Sequence, residues 1–451
     1  MASQGEDPAN EPAAQSSGWP GVDLAEVVEL TRRLVRVPSV HDPARKRSEA
    51  PAAAVVAETM RQFGWQPVIE EIEPGRPNVH AVIDGGSPGP TLLFEGHTDV
   101  VSEAPEDAWS VPPFSAEVRD GRLYGRGSAD MKSGLAAMLH AARAIERGGP
   151  FPGRLKVAAL CDEEGMMLGV KHFVAQGHAA DCDAAIVGEP EAEELCTTSR
   201  GSIRLRIDIR GRMAHGAMPD QGANPIPVLG RLLVWAAAHE AELRRRHGRH
   251  PTLGTVTVTP TVIGGGDLAQ MNVSPTDGVL ALDVRTIPGV DHATLIGEIA
   301  SAVEEYAFVG WVGGGVTVLD DRPATETPED SPVVRAVFAG HRDVTGINPQ
   351  IGGVPGATDG TILWRDAGLP VVVYGPGDKW IAHQADEHVE VDDIMRKTEV
   401  YVRAAHHFLG DPHAIRERPD QTPPEQPAPE QPAPQQGSKR KQRRADGGRA
   451  T

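Results

Sequence analysis

Apolar positions follow two rhythms along this chain, short β-rich runs and helical stripes, and the two alternate from about residue 24 to residue 198. Leu24, Val27, Val28, Leu34 and Val35 share one side of a helix that Asp23 can cap and Val37-Pro38 ends. A second helix is predicted at 52–63, stopping at Gly64. Strands follow at about 66–72, 79–83 and 91–95, then a hairpin-like run at 121–124 and a helix with Leu135, Met138, Leu139 and Ile145 at helical spacing. A strand at 154–161, a helix at 166–176 and a strand at 184–187 complete the stretch. Such alternation predicts a mainly parallel α/β sheet covered on both faces.

From Ser199 the order changes to strand 202–211, helix 224–247, strands 253–263 and 278–286, helix 292–308 and strand 315–319. That is βαββαβ, the ferredoxin-like arrangement, which can fold as its own two-layer unit. The α/β alternation resumes with a helix at 332–344, a glycine-rich loop at 352–360, a strand at 370–374 and a helix at 392–408. The expected organisation is therefore a discontinuous catalytic domain, 20–198 and 322–410, with an inserted lid or dimerisation domain at 199–321. Residues 1–19 are polar and rich in Ala, Pro and Ser, and 411–451 form a Pro-rich tail ending in a basic run; neither carries enough apolar surface to offset the entropy of ordering.

A chain of 451 residues exceeds the usual single core, which agrees with two domains. Its formal charge of −19 opposes polyanion binding, so nucleic acid is not the expected partner. Cys161, Cys182 and Cys196 are odd in number and lack metal-knuckle spacing, which fits a reducing cytoplasm and no disulfide framework. The N-terminus lacks a basic region followed by an apolar stretch, and no segment reads as a membrane span.

Candidate chemistry gathers at strand ends. Asp130, in GRGSADMKSG, sits where a loop hands over to a helix; alone it could be no more than a helix N-cap. Four other segments each carry a His or a carboxylate just past an apolar strand or in a glycine-rich loop: LLFEGHTDVV, VAALCDEEG, AAIVGEP and VVVYGPGDKWIAHQADE. In open α/β sheets ligands collect at the carboxyl ends of strands, so five such sites suggest one shared metal cluster. His97 followed by Asp99 suits a ligand and its orienting carboxylate. Adjacent Glu163 and Glu164, in a turn, can divide metal binding from proton transfer, while Glu189 and His383 add an oxygen and a nitrogen.

Together these motifs resemble the co-catalytic zinc amidohydrolase and aminopeptidase-like family that contains acetylornithine deacetylase, succinyl-diaminopimelate desuccinylase, aminoacylase and glutamate carboxypeptidase. The resemblance covers roughly residues 22–409, through GHTDVV, GRGSADMKSG, DEEG, GEP, RGS with GRMAHG, and GPGDKWIAHQADE in the family's order. It implies an α/β fold, a mainly parallel mixed-sheet zinc-peptidase-like catalytic domain with the ferredoxin-like insertion. It also implies that His97, Asp130 and Glu189 hold one divalent metal and Asp130, Glu164 and His383 a second, with zinc favoured and cobalt or manganese able to occupy the same set. Glu163 becomes the general acid/base, Asp99 the partner of His97, and His215 the histidine that completes the site, in several relatives from the opposite subunit of a homodimer. The implied reaction is hydrolysis of a small N-acylated amino acid or short peptide by water activated between the cations.

The resemblance assigns substrate contacts to Arg285, whose fork suits a carboxylate, and to Asn272, Arg200 and Thr358. Two departures count against diaminopimelate itself: Ser199 stands where desuccinylases carry the first of two arginines, and Met218 where they carry an aromatic residue. A deacylase is therefore expected, with a carboxypeptidase or dipeptidase as the alternative and a noncatalytic binding protein as the remote one. A serine hydrolase is poorly supported, and the glycine-rich loop lacks the Lys-Ser or Lys-Thr of a phosphate cradle.

Overall fold

The computed structural model of the chain describes residues 22–416, so the lead-in at 1–19 and the tail beyond 416 lie outside the described residues. Helices α1 (Leu24–Val35) and α2 (Ala50–Gln62) precede strands β1 (Val68–Glu73), β2 (Arg76–Asp84) and β3 (Gly86–His97). A hairpin of β4 (Glu117–Arg119) and β5 (Arg122–Tyr124) leads through an irregular turn at Ser128–Lys132 into α3 (Ser133–Arg147). Then come β6 (Phe151–Leu160), α4 (Leu168–Ala175), β7 (Ala184–Val187) and β8 (Glu194–Ser199). The middle of the chain forms β9 (Gly201–Arg210), β10 (Ala214–His215), α5 (Ile226–His247), β11 (Thr257–Gly265), β12 (Val273–Ser274), β13 (Asp277–Thr286), α6 (His292–Val309) and β14 (Gly313–Arg322). The last part supplies β15 (Thr325–Glu326), α7 (Pro332–Thr345), β16 (Gln350–Val354), α8 (Asp359–Ala367), β17 (Val371–Val373), β18 (His388–Glu390) and α9 (Val391–Leu409).

Nine strands make the larger sheet, in the order β1-β2-β6-β3-β7-β17-β8-β15 with β16 paired to β8. Its centre, β6 to β17, is parallel as expected. Both flanks add antiparallel pairs, although β16 runs parallel to β8, which makes the sheet mixed. The cause at one edge is local: β1 and β2 are joined only by Pro74 and Gly75, with Gly75 at φ +81°, and a crossover to a parallel strand needs a dozen or more residues. Successive residues of β3 feed opposite faces. Phe94 packs with Leu34, Leu135 and Phe408 under α1, α3 and α9, whereas Leu93 packs with Phe173, Ile362 and Leu363 under α4 and α8. Each such burial is worth roughly 1.5–3 kcal/mol. The parallel strands β3, β7 and β17 therefore deliver His97, the Gly188-Glu189 turn and the 374–387 loop to one end of the sheet.

The smaller sheet runs β11-β13-β9-β14, antiparallel throughout. Leu280, Leu282 and Val284 alternate on one face of β13 and pack with Ile203, Leu205, Leu232 and Ile299, from β9, α5 and α6. The βαββαβ order is as predicted, with an added two-stranded ribbon of β10 and β12. Segment 352–360 is a loop only at 355–358: its first residues belong to β16 and its last to α8. Gly352 lies within β16, where a Cβ would stand 2.1 Å from Glu194 Oε2, and Thr358 Oγ1 caps α8 by accepting from Gly360 N at 3.2 Å. The chain also stays packed to Arg416, whose amide donates to Asp183 Oδ1 at 3.0 Å. Among the described residues no helix is long and apolar enough to cross a membrane.

Candidate metal centre

His97 closes β3 and is 1% exposed. Its Nδ1 faces the backbone oxygen of Asp99 at 3.0 Å, and because a carbonyl only accepts, Nδ1 carries the proton. Nε2 lies 3.1 Å from Asp130 Oδ1 and 3.2 Å from Glu189 Oε1. In a neutral ring that is a lone pair set against two carboxylate oxygens, a convergence that only a proton or a cation relieves. Burial opposes a charge on His97, but Glu189, Asp130 and Asp99 outweigh it and hold its proton affinity well above that of a free imidazole.

The second histidine repeats the arrangement. His383 Nε2 stands 3.1 Å from Asp130 Oδ2 and 2.8 Å from Glu164 Oε1. Hydrogen bonds to the Asp130 and Glu164 carboxylates push its pKa up to about 11. Asp130 thus offers one oxygen to each imidazole. Burial would raise its pKa, yet His383 and His97 hold it well below the usual carboxylate range. Glu163, Glu164 and Glu189 are all displaced upward, first by burial and then by the neighbouring acids.

Asp130, Glu163, Glu164, Glu189, Thr358, Lys379 and His383 line a cavity of about 220 Å³. Donor atoms of His97, Asp130 and Glu164, and of His97, Glu163 and Glu189, lie within 4.8 Å of one another. Two imidazoles among four acids form an acceptor-rich set that fits divalent cations.

Asp99 is placed differently from a simple orienter. Its carboxylate is 3.6 Å from His97 Nδ1 but accepts the amides of Glu163 and Glu164 at 3.2 and 3.0 Å. It fixes the turn that presents both glutamates, while its carbonyl orients the histidine.

The remaining expected site residues divide. Thr358 lines the cavity. Arg200 spends its guanidinium on the carbonyls of Leu253 and Thr255 at 2.9 and 2.6 Å, and lines a neighbouring cavity of about 360 Å³ with Lys379 and Trp380. Arg285 is held by both oxygens of Asp283, at 2.7 and 3.1 Å. His215 and Asn272 sit on the exposed β10–β12 ribbon, where Gly216 N donates to Asn272 O at 2.6 Å. His215, Asn272 and Arg285 do not line the cavity.

Several supporting residues carry no sequence signal of their role. Glu387 Oε1 accepts the amides of Ala129 and Asp130 at 3.0 and 3.1 Å, and Glu387 is bonded to Arg126, which also donates to His383 O. One buried acid therefore joins the loop carrying Asp130 to the loop carrying His383. Lys132 Nζ donates to Leu34 O and Val37 O at 3.0 and 2.8 Å, satisfying carbonyls at the C-terminal end of α1. Lys379 reaches Glu191 and Glu194 at 2.8 and 2.6 Å. Behind His97, the carboxyl groups of buried Glu95 and Asp359 interact with one another, and burial raises the Glu95 pKa to about 8. The only hint for any of these is a charged residue inside a motif already singled out.

The model of Peptidase family M20/M25/M40 matches residues 93–407. Succinyl-diaminopimelate desuccinylase of Methylobacterium radiotolerans is 34% identical over 395 residues, covering 83% of this chain and 95% of that protein. Among solved structures, an M20 family metallo-carboxypeptidase from Sulfolobus solfataricus superposes with a TM-score of 0.68 at 18% identity, over 84% of this chain and 98% of that one. A dinuclear metal-binding peptidase of the M20 family from Bacillus subtilis gives 0.64 at 15% identity, over 86% and 98%. A family match that begins at the strand ending in His97 and runs past His383, joined to a relative matched along nearly its whole length, makes this chain a metallohydrolase belonging to Peptidase family M20/M25/M40.

Proposed function

We propose that the chain is a deacylase that hydrolyses the amide bond of an N-acylated amino acid, with one cation held by His97, Asp130 and Glu189 and another by His383, Asp130 and Glu164. The observation that carries this reading is Asp130, whose two oxygens are divided between two histidines. Bound there, divalent ions, zinc by preference for this His and carboxylate set, polarise a carbonyl and acidify water.

Glu163 takes the proton of the attacking water and returns it to the departing amine. Its carboxyl lines the cavity, and burial holds its pKa well above the usual carboxylate range. Glu387 and Asp99 hold the loops so that Asp130, Glu163 and Glu164 face one space. His215 stabilises the oxyanion, and since its ribbon does not line the cavity, it arrives by movement of the smaller sheet or from a second copy of the chain. The three buried, unpaired thiols support a cytoplasmic setting.

A deacylase is favoured over a peptidase because the relative at 34% identity is named a desuccinylase. Ser199 and Met218 replace contacts expected for diaminopimelate, so a different amino acid carries the acyl group. The test is amine release by the zinc- or cobalt-loaded protein from N-succinyl, N-acetyl, N-formyl and N-carbamoyl amino acids beside dipeptides. Selective release from one acyl class is expected; faster cleavage of dipeptides would replace the deacylase with a peptidase.

A further inference from the structure

At the β1 edge of the larger sheet a second histidine cluster lies outside the catalytic cavity. His80, on β2, stands opposite Val68 of β1, so its side chain shares a face with Glu70 two residues on. α4 ends in a Schellman-type turn: His178 N donates to Phe173 O at 3.1 Å and Gly177 N to Val174 O at 2.9 Å, with Gly177 at φ +80°. That reversal brings His178 back over the sheet. Its Nε2 lies 2.9 Å from Glu70 Oε2, and His172, on α4, approaches the same oxygen at 3.9 Å. The His80 and His178 rings are 4.4 Å apart, and donor atoms of Glu70, His80 and His178 lie within 4.8 Å of one another.

We propose that Glu70, His80 and His178, with His172 as the fourth donor, bind one structural zinc ion that clips the edge hairpin to α4. The donor chemistry is three imidazoles and one carboxylate, a set suited to tetrahedral zinc, whose ligand atoms stand about 3.3 Å apart for bonds near 2.0 Å. The observed His178–Glu70 and His172–Glu70 separations bracket that spacing. His80 is 4% exposed and its Nδ1 has no hydrogen-bond partner, so a hydrogen-bonded pair of His178 and Glu70 does not account for the whole cluster. Lys156 does not compete for the site, because its ammonium is spent on His178 O and on Asp181 Oδ1 at 2.6 Å. The other three side chains are a quarter to a third exposed, which leaves an entry path.

The test compares the full-length protein with its Glu70→Gln/His178→Gln variant, both stripped with chelator and dialysed against the same buffered zinc, then counted for metal. The wild type is expected to hold one zinc per chain more than the variant, with amide hydrolysis unchanged. Equal counts overturn the proposal. Because the readout is a difference, it stands whatever the catalytic centre binds. Should the variant fail to fold, carbethoxylation of wild-type histidines decides: protection of His172 and His178 by zinc supports the site, and equal labelling with and without zinc overturns it.

Discussion

The two sheets prepare their contributions to catalysis differently. At the end of the larger one, His97, Asp130, Glu163, Glu164 and Glu189 are held at working separations inside the fold, by backbone amides and buried ion pairs. On the smaller one, His215 and Asn272 are exposed on a ribbon and Arg285 is tied to its own neighbour, Asp283. The centre proposed to bind cations and move protons is built in advance. The side proposed to recognise substrate does not line its cavity.

Three changes break or sharpen that contrast. Glu163→Ala strikes the prepared side hardest: turnover should fall roughly 10²- to 10⁴-fold while both metals remain, read by steady-state rates beside metal counting. Unchanged turnover would remove Glu163 from the mechanism. His215→Ala, on the unprepared side, should lower kcat by about 10²- to 10³-fold with metal content intact. If His215 acts from a second copy, mixing that variant with Glu163→Ala should restore part of the activity, and no recovery would leave movement within one chain. The smallest effect is expected for Glu387→Gln, which keeps the side chain's shape but weakens its hold on Arg126 and the 129–130 amides. Metal affinity should drop by about 10- to 100-fold in a competition titration, with kcat at saturating metal little changed.

How much of this was legible depends on how local each signal is. His97, Asp130, Glu189, the Glu163-Glu164 pair and His383 could be found because each follows an apolar run or lies in a glycine-rich segment, a pattern visible within ten residues. The βαββαβ order was readable for the same reason, since the alternation of β13 and the stripes of α5 and α6 are local. Glu387 was not, because its partners Ala129 and Asp130 lie more than 250 positions away and a bond across that distance leaves no periodicity. Asp99 was half read: the histidine two residues before it was visible, the amides of Glu163 and Glu164 were not. The end of β16 and the start of α8 were hidden by Gly352, Gly353 and Gly360, which serve close packing against Glu194 and the larger sheet. Lys132 would pass for a surface lysine until α1 is laid across it.

The bond from Ala129 N to Glu387 spans 258 positions in the chain. At about 5–20 residues per second of synthesis, the loop carrying Asp130 leaves the ribosome roughly 10 to 50 s before the residue that fixes it. β9 to β14 emerge inside that interval and pair among themselves, so the smaller sheet can be complete while His97 and Asp130 still wait. On a growing chain the metal centre is among the last things to exist.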